Sequence, residues 1–232
     1  MPASQASQGS SDTDTRSQII AAAECLFAES GIDGVSLRQI NLAAGQKNSS
    51  AAHYHFGSKQ ALISAIYEHR MKSVNARREK ALEQILKENR STDIRSLIEA
   101  FVYPIVEETD NTEGGSHYIR FMAQATGHPQ LDLRDVWQKQ HATGLNHVVR
   151  LLQQALPDIP PAIVGQRFGL AFEQLFHSLA DREKLRHSSD HPIEVDSALF
   201  VSNLIDCIAG SMSAPVSAET KKELERLSKS AG

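Results

Sequence analysis

The residues best suited to do chemistry lie between Val35 and Tyr67, and they are of a kind that reads nucleic acid rather than breaks bonds. Asn48, Ser49 and Ser50 carry short side chains that can hydrogen-bond base edges. The Ala51 methyl can meet a thymine methyl, and His53 shares the same short polar stretch. Gln46 and Lys47 fill the turn before it. Lys59 follows Ser58 at a predicted helix start, where free N–H groups and an ammonium together suit a phosphate. Arg38 can reach a phosphate or pair with a carboxylate, and Tyr54 either touches phosphate or packs inward.

Other chemistries find little to work with. The ten histidines include the pairs His53/His55, His141/His147 and His187/His191, but none has carboxylate or cysteine company at ligand spacing. No metal and no cofactor are expected. There is no G-x-S-x-G, no Walker-type loop and no glycine fingerprint after a strand, so no catalytic residue is expected and the chain is not read as an enzyme.

Helices must position these residues. A T-x-x-Q box at Thr15 and Gln18 predicts a first helix with Ile19, Ala22, Ala23, Leu26 and Phe27 inward, closed by Gly31. An S-x-x-Q box at Ser36 and Gln39 predicts a second, burying Leu37, Ile40 and Ala44, with Gly45 at the turn. The third, from Ser49 to Phe56, is too short to stand alone and must pack on the other two. The order is that of a helix-turn-helix, which places a short helix in a DNA major groove. From Ser58 the apolar period continues to Leu86, predicting one helix about 45 Å long. Further helices are expected over 93–108, kinked at Pro104, then through Tyr118–Met122, over 133–156, after Pro161, and around Ala198–Met212. Nothing alternates like a strand, and the fold class is all-α.

The expected organisation is a disordered Ser/Gln/Ala-rich tail at 1–13, a three-helix DNA-binding domain at 14–60, a helical ligand-binding and dimerisation domain at 61–215, and a charged helical tail at 216–232. Apolar residues make up 41% of the 232, enough for a core, yet no apolar run approaches the ~18–20 residues that span a bilayer. The N-terminus lacks the basic and apolar parts of a signal peptide. Cys25 and Cys207 are expected to be buried free thiols in a reducing cytoplasm. The net charge is −4, and within 14–60 Arg16, Arg38, Lys47 and Lys59 are balanced by Asp14, Glu24, Glu29 and Asp33. Few phosphate contacts per subunit would then be available, so DNA affinity would require a dimer.

The first 67 residues resemble the TetR/AcrR family of bacterial transcriptional regulators. The resemblance rests on Ile19-Ile20-x-Ala22-Ala23-x-x-Leu26-Phe27-Ala28-Glu29-x-Gly31, Val35-Ser36-Leu37-Arg38-Gln39-Ile40, Ala43-Ala44-Gly45 and Tyr54-His55-Phe56-Gly57-Ser58-Lys59-x-x-Leu62. One departure is visible. Where the family runs A-G-V-S-x-G-x-ϕ-Y-x-H-F, this chain is one residue longer, has Gln46 for an apolar residue, and has His53 where a phosphate-contacting tyrosine usually stands. The resemblance implies a homodimeric regulator of double-stranded DNA, most simply a repressor, with a palindromic operator and release by a small-molecule effector. It implies an effector pocket among the middle helices, for which Phe101, Tyr118, Phe121, Trp137, His141 and Phe172 are the candidates. It also implies a four-helix dimer interface from the last two long helices. Its candidates are Val164, Phe168, Phe172 and Leu175 on one and Val201, Leu204, Ile205 and Ile208 on the other, helped by the small residues Gly165, Gly169, Ala209 and Gly210. Two rivals remain: a helical small-molecule-binding protein or unrecognised enzyme without DNA binding, and an activator of the same fold.

Overall fold

The computed structural model describes residues 5–111, 114–129, 131, 143–186 and 196–230, and among them only helices and turns occur. α1 spans Gln5–Ser30, α2 Leu37–Ala43, α3 Ala51–Phe56, α4 Lys59–Lys87 and α5 Ile94–Asn111. α6 spans Gly115–Thr126, α7 Thr143–Ala155, α8 Pro161–Arg186, α9 Ser197–Ser213 and α10 Ala218–Ser230.

Local chemistry sets most boundaries. The Ser36 hydroxyl accepts from the Gln39 N–H, and the Gln39 side chain accepts in return from the Ser36 N–H, completing the expected box at α2. Ser58 caps α4 by accepting from the Ala61 N–H at 3.1 Å. Gly31 follows α1 with φ +79°, and Asn89 follows α4 with φ 55°, both left-handed stops. Pro104 lies inside α5. Gly115 opens α6 where a Cβ would come within 2.4 Å of the Glu108 and Thr109 carbonyl oxygens, so only glycine lets α6 start so close to the end of α5.

Two boundaries differ from expectation. α1 begins at Gln5, not Thr15, so Thr15 lies inside a helix rather than capping one, and Gln18 instead donates to Asp14 at 3.0 Å. Weak helix formers upstream of an anchored segment can extend it, because propagation is cheap once a nucleus exists. α3 begins at Ala51, two residues later than expected, leaving Ser49 and Ser50 before the helix. The expected helix over 133–156 is seen as α7; residues 132–142, with Trp137 and His141, lie outside the described residues.

α1 packs on α2, α3, α4 and α6, and α4 packs on α5 and α7. α8 joins α6, α7 and α9, and α9 also lies on α5. One apolar core runs through all of this, from Ile19, Ala23 and Phe27 through Ile66, Phe101 and Phe121 to Phe176 and Ile208. It crosses the boundary expected near residue 60 without a gap. No single described helix is long and apolar enough to cross a membrane; only the bent pair α9–α10 passes that test together.

Candidate nucleic-acid interface

The short α3 is held by a side chain that the sequence reading passed over. Asn41 on α2 is buried at 2% exposure. Its Nδ2 donates to the Ser49 carbonyl, and its Oδ1 accepts from the Ala52 N–H at 2.8 Å. One amide thus ties α2 to both the turn and the first turn of α3. The available signal was its place: Asn41 lies one helical turn after Leu37, on the inward side of α2, where a polar residue needs a partner. The Asn48 Oδ1 accepts from the Ser50 N–H at 2.9 Å, shaping the turn. Gln46 Nε2 donates to Gln18 Oε1 at 2.9 Å and to the Ala44 carbonyl, fastening the turn to α1.

Around this framework Arg38, Lys47, Asn48, Ser49, Ser50, His53 and Tyr54 are exposed, and Gln46 and Lys59 are half-buried. Leu42 and Tyr54, at 80% and 79%, are large apolar surfaces beside the turn. Ala51 departs from expectation. At 7% exposure it packs inward with Ala52, because a six-residue helix must use its small apolar side against its neighbours. Lys59 also departs in part: its ammonium lies over the Phe27 ring, 5.7 Å from the centroid. Arg16 sits likewise over Phe56 at 5.1 Å.

Behind the helix-turn-helix, a buried ionic cluster joins three helices. Arg70 on α4 holds Glu24 of α1 through both carboxylate oxygens, at 2.9 and 2.6 Å, and donates to Glu108 of α5 at 3.1 Å. Glu108 also accepts from Arg77 at 2.6 Å and from the Ser73 hydroxyl at 2.7 Å. Burial alone would raise the Glu108 carboxyl, but the bonds from Arg77, Ser73 and Arg70 outweigh it and hold the group below the ordinary carboxylate value.

Deeper still lies Arg78, 1% exposed. It donates to Asn75 Oδ1 at 2.7 Å and points to the Phe101 carbonyl at 3.5 Å, but no carboxylate pairs with it among the described residues. Its Nε, like the Tyr67 and Tyr118 hydroxyls, has no hydrogen-bond partner there. Burial lowers the Arg78 guanidinium to about 10 and pushes both phenols up, and Arg78 couples to each phenol. Of the residues expected to line a pocket, Phe101, Tyr118, Phe121 and Phe172 instead pack in the core at 0–3% exposure. Phe101 meets Phe172, and Tyr118 meets Phe176 edge-on. An open cleft of about 890 Å³ lies elsewhere, between α6 and α8, lined by Ser116, His117, Arg120, His177 and Asp181 among others.

The eight residues expected at a dimer interface are corrected in the same way. Val164, Phe168, Phe172, Leu175, Val201, Leu204, Ile205 and Ile208 are all buried within one chain. An apolar stripe at helical spacing marks burial without saying whether the covering surface is internal or another molecule's. Facing outward are Gly165 and Leu170 on α8 and Leu199, Cys207 and Gly210 on α9, with Leu170 at 67% and Leu199 at 70% exposure. The two thiols are free, but Cys207 is exposed and Cys25 half-buried, where full burial was expected of both. Burial and the nearby Glu29 carboxylate push the Cys25 thiol above its usual value.

Comparison with known proteins agrees with this architecture. Residues 19–66 match the family described as bacterial regulatory proteins, tetR family, and residues 99–211 match the tetracyclin repressor-like C-terminal domain. No curated protein matches the chain. Among solved structures, a tetR family transcription regulator from a Shewanella species superposes with a TM-score of 0.59 at 16% identity, covering 85% of this chain and 97% of that one. The TetR family transcriptional regulator PfmR from Thermus thermophilus gives 0.50 at 19% identity, covering 86% and 98%. At such identities the structures speak to the fold, while the two family matches reach from the helix-turn-helix to α9. The chain belongs to the TetR family of bacterial regulatory proteins.

Proposed function

We propose that this DNA-binding regulator acts in the cytoplasm as a homodimeric repressor that leaves a near-palindromic operator when a small-molecule effector binds, and that it has no enzymatic activity. The observation that supports the reading is the Asn41-anchored turn, around which Lys47, Asn48, Ser49, Ser50, His53 and Tyr54 are each exposed. These side chains can hydrogen-bond base edges and phosphates. Arg38 adds a phosphate contact from α2, and Lys59 adds positive charge at the start of α4. Because the segment carries so little net positive charge, a second copy supplies the remaining affinity. The exposed Leu170 and Leu199 on α8 and α9 support that contact, with Gly165 and Gly210 allowing close approach. The effector reading is supported by the open cleft between α6 and α8, whose lining mixes His117, Arg120, His177 and Asp181 with the apolar Ala123 and Leu185. The effector would act by its differential affinity for two spacings of the paired DNA-reading helices.

The test is selection of bound sequences from random duplex DNA by the purified protein at a fixed salt concentration. An enriched near-palindrome with half-sites about 34 Å apart is expected. A folded protein that enriches nothing at low salt refutes the reading and favours the ligand-binding alternative. An activator would enrich the same site and be separated by promoter fusion assays.

A further inference from the structure

We propose that Cys25, Glu29 and His117 form a binding site for a borderline divalent cation of the Zn²⁺ class. Cys25 and Glu29 lie four residues apart on α1 and so share one face. His117 comes from the first turn of α6, 92 positions from Cys25 in the chain. The His117 Nε2 is 3.8 Å from the Cys25 Sγ and 3.7 Å from the Glu29 Oε1, and all three ligand atoms lie within 4.8 Å of one another.

These separations are close to those a metal requires. Tetrahedral zinc holds sulfur at about 2.3 Å and nitrogen or oxygen at about 2.0–2.2 Å, which puts the donors roughly 3.4–3.6 Å apart. The two separations from His117, 3.8 and 3.7 Å, therefore need to close by only a few tenths of an ångström, and the Cys25–Glu29 separation lies within 4.8 Å. An ion pair accounts for Glu29 beside His117, and the Cys25 thiol can hydrogen-bond to both, but a thiol is only a weak donor and acceptor. The donor set of sulfur, imidazole and carboxylate suits zinc and disfavours magnesium or calcium, which take all-oxygen shells. His117 also lines the cleft between α6 and α8, so the fourth position is reachable by water or a small ligand. On binding, the thiol proton passes to solvent and the thiolate joins the ion.

The site ties α1, which packs on α2 and α3 of the helix-turn-helix, to α6 of the C-terminal part. If the proposed repressor function holds, occupancy would fix the angle between them and so bias operator affinity. That consequence rests on the repressor reading; the binding itself does not.

The experiment is a cobalt titration of the full-length apo protein, read by absorption and followed by displacement with zinc. One equivalent per chain should give a thiolate-to-cobalt charge-transfer band with the strong visible bands of a four-coordinate ion, and zinc should abolish both. Cys25→Ser should lose the charge-transfer band while Cys207→Ser keeps it. His117→Gln and Glu29→Gln, both at partly exposed side chains, should weaken affinity at least tenfold with an unchanged circular dichroism spectrum. If Cys25→Ser does not fold, these two variants carry the test. No band in the wild type, a band that survives Cys25→Ser, or affinity unmoved by His117→Gln would overturn the proposal. Because the readout contains no DNA, a failure here is distinct from a failure of the repressor reading.

Discussion

Replacing Arg70 by methionine isolates what the buried ionic cluster contributes. Arg70 is 12% exposed at its side chain, while Glu24 and Glu108 are 4% and 3% exposed. Without the guanidinium, Glu108 keeps Arg77 and Ser73, whereas Glu24 loses the group from which both its carboxylate oxygens accept. A buried charge left without its partner costs about 3–5 kcal/mol. For a chain of this size, that is a fall in Tm of roughly 6–20 °C, taking about 2–4 °C per kcal/mol. The assay is thermal and urea unfolding at one protein concentration, since dimerisation would shift the midpoint. Acid provides an internal check. Glu108 is held below its ordinary value, so its contribution is present above the unfolded-state value near 4.5 and is lost as pH falls through the folded-state value. Wild-type stability should therefore drop on acidification. In Arg70→Met one of the bonds that lower Glu108 is gone, so less of that contribution remains to be lost in acid and the gap between the two proteins should narrow. Adding Glu24→Leu to Arg70→Met should recover more than half of the loss. A single variant within about 1 kcal/mol of wild type, or a double variant no better than the single, would refute the reasoning.

Asn41→Ala should leave the Ser49 carbonyl and the Ala52 N–H without partners, costing about 1–3 kcal/mol and loosening α3; amide hydrogen exchange confined to 45–56 would register it. Arg38→Ala and Lys47→Ala should each weaken DNA binding about equally across sequences and lower the slope of log affinity against log salt by about 1; fluorescence anisotropy over a salt series checks this. Leu170→Glu and Leu199→Glu place charge on exposed apolar positions of α8 and α9, and light scattering should show monomers with unchanged circular dichroism.

Much of the candidate site was legible because its signals are local. The Ser36–Gln39 box, the Ser58 cap and the glycine after α1 each act within a few residues, and each appears where the chain predicts it. The same locality explains two misses. Thr15 has the side chain of a cap, yet nothing in four residues tells a helix whether the segment upstream is also helical. Ala51 has a methyl that could meet a thymine, yet its direction depends on where a six-residue helix begins, and that is fixed by Asn41 from another helix. The pocket and dimer candidates were legible only as far as their burial. Phe101, Phe172, Val164 and Ile208 were read correctly as apolar and inward, but inward toward what depends on the packing of every other helix.

By itself, then, the sequence determined the helical class, the order of the helices and most of their boundaries, because period, capping and turn chemistry are set over short spans of chain. Only the tertiary structure decided which polar groups meet. It brought Glu24, Arg70 and Glu108 together from α1, α4 and α5, left Arg78 buried without a carboxylate among the described residues, and set His117 beside Cys25 across 92 positions. Such encounters depend on the relative placement of whole helices, which only the shared core fixes.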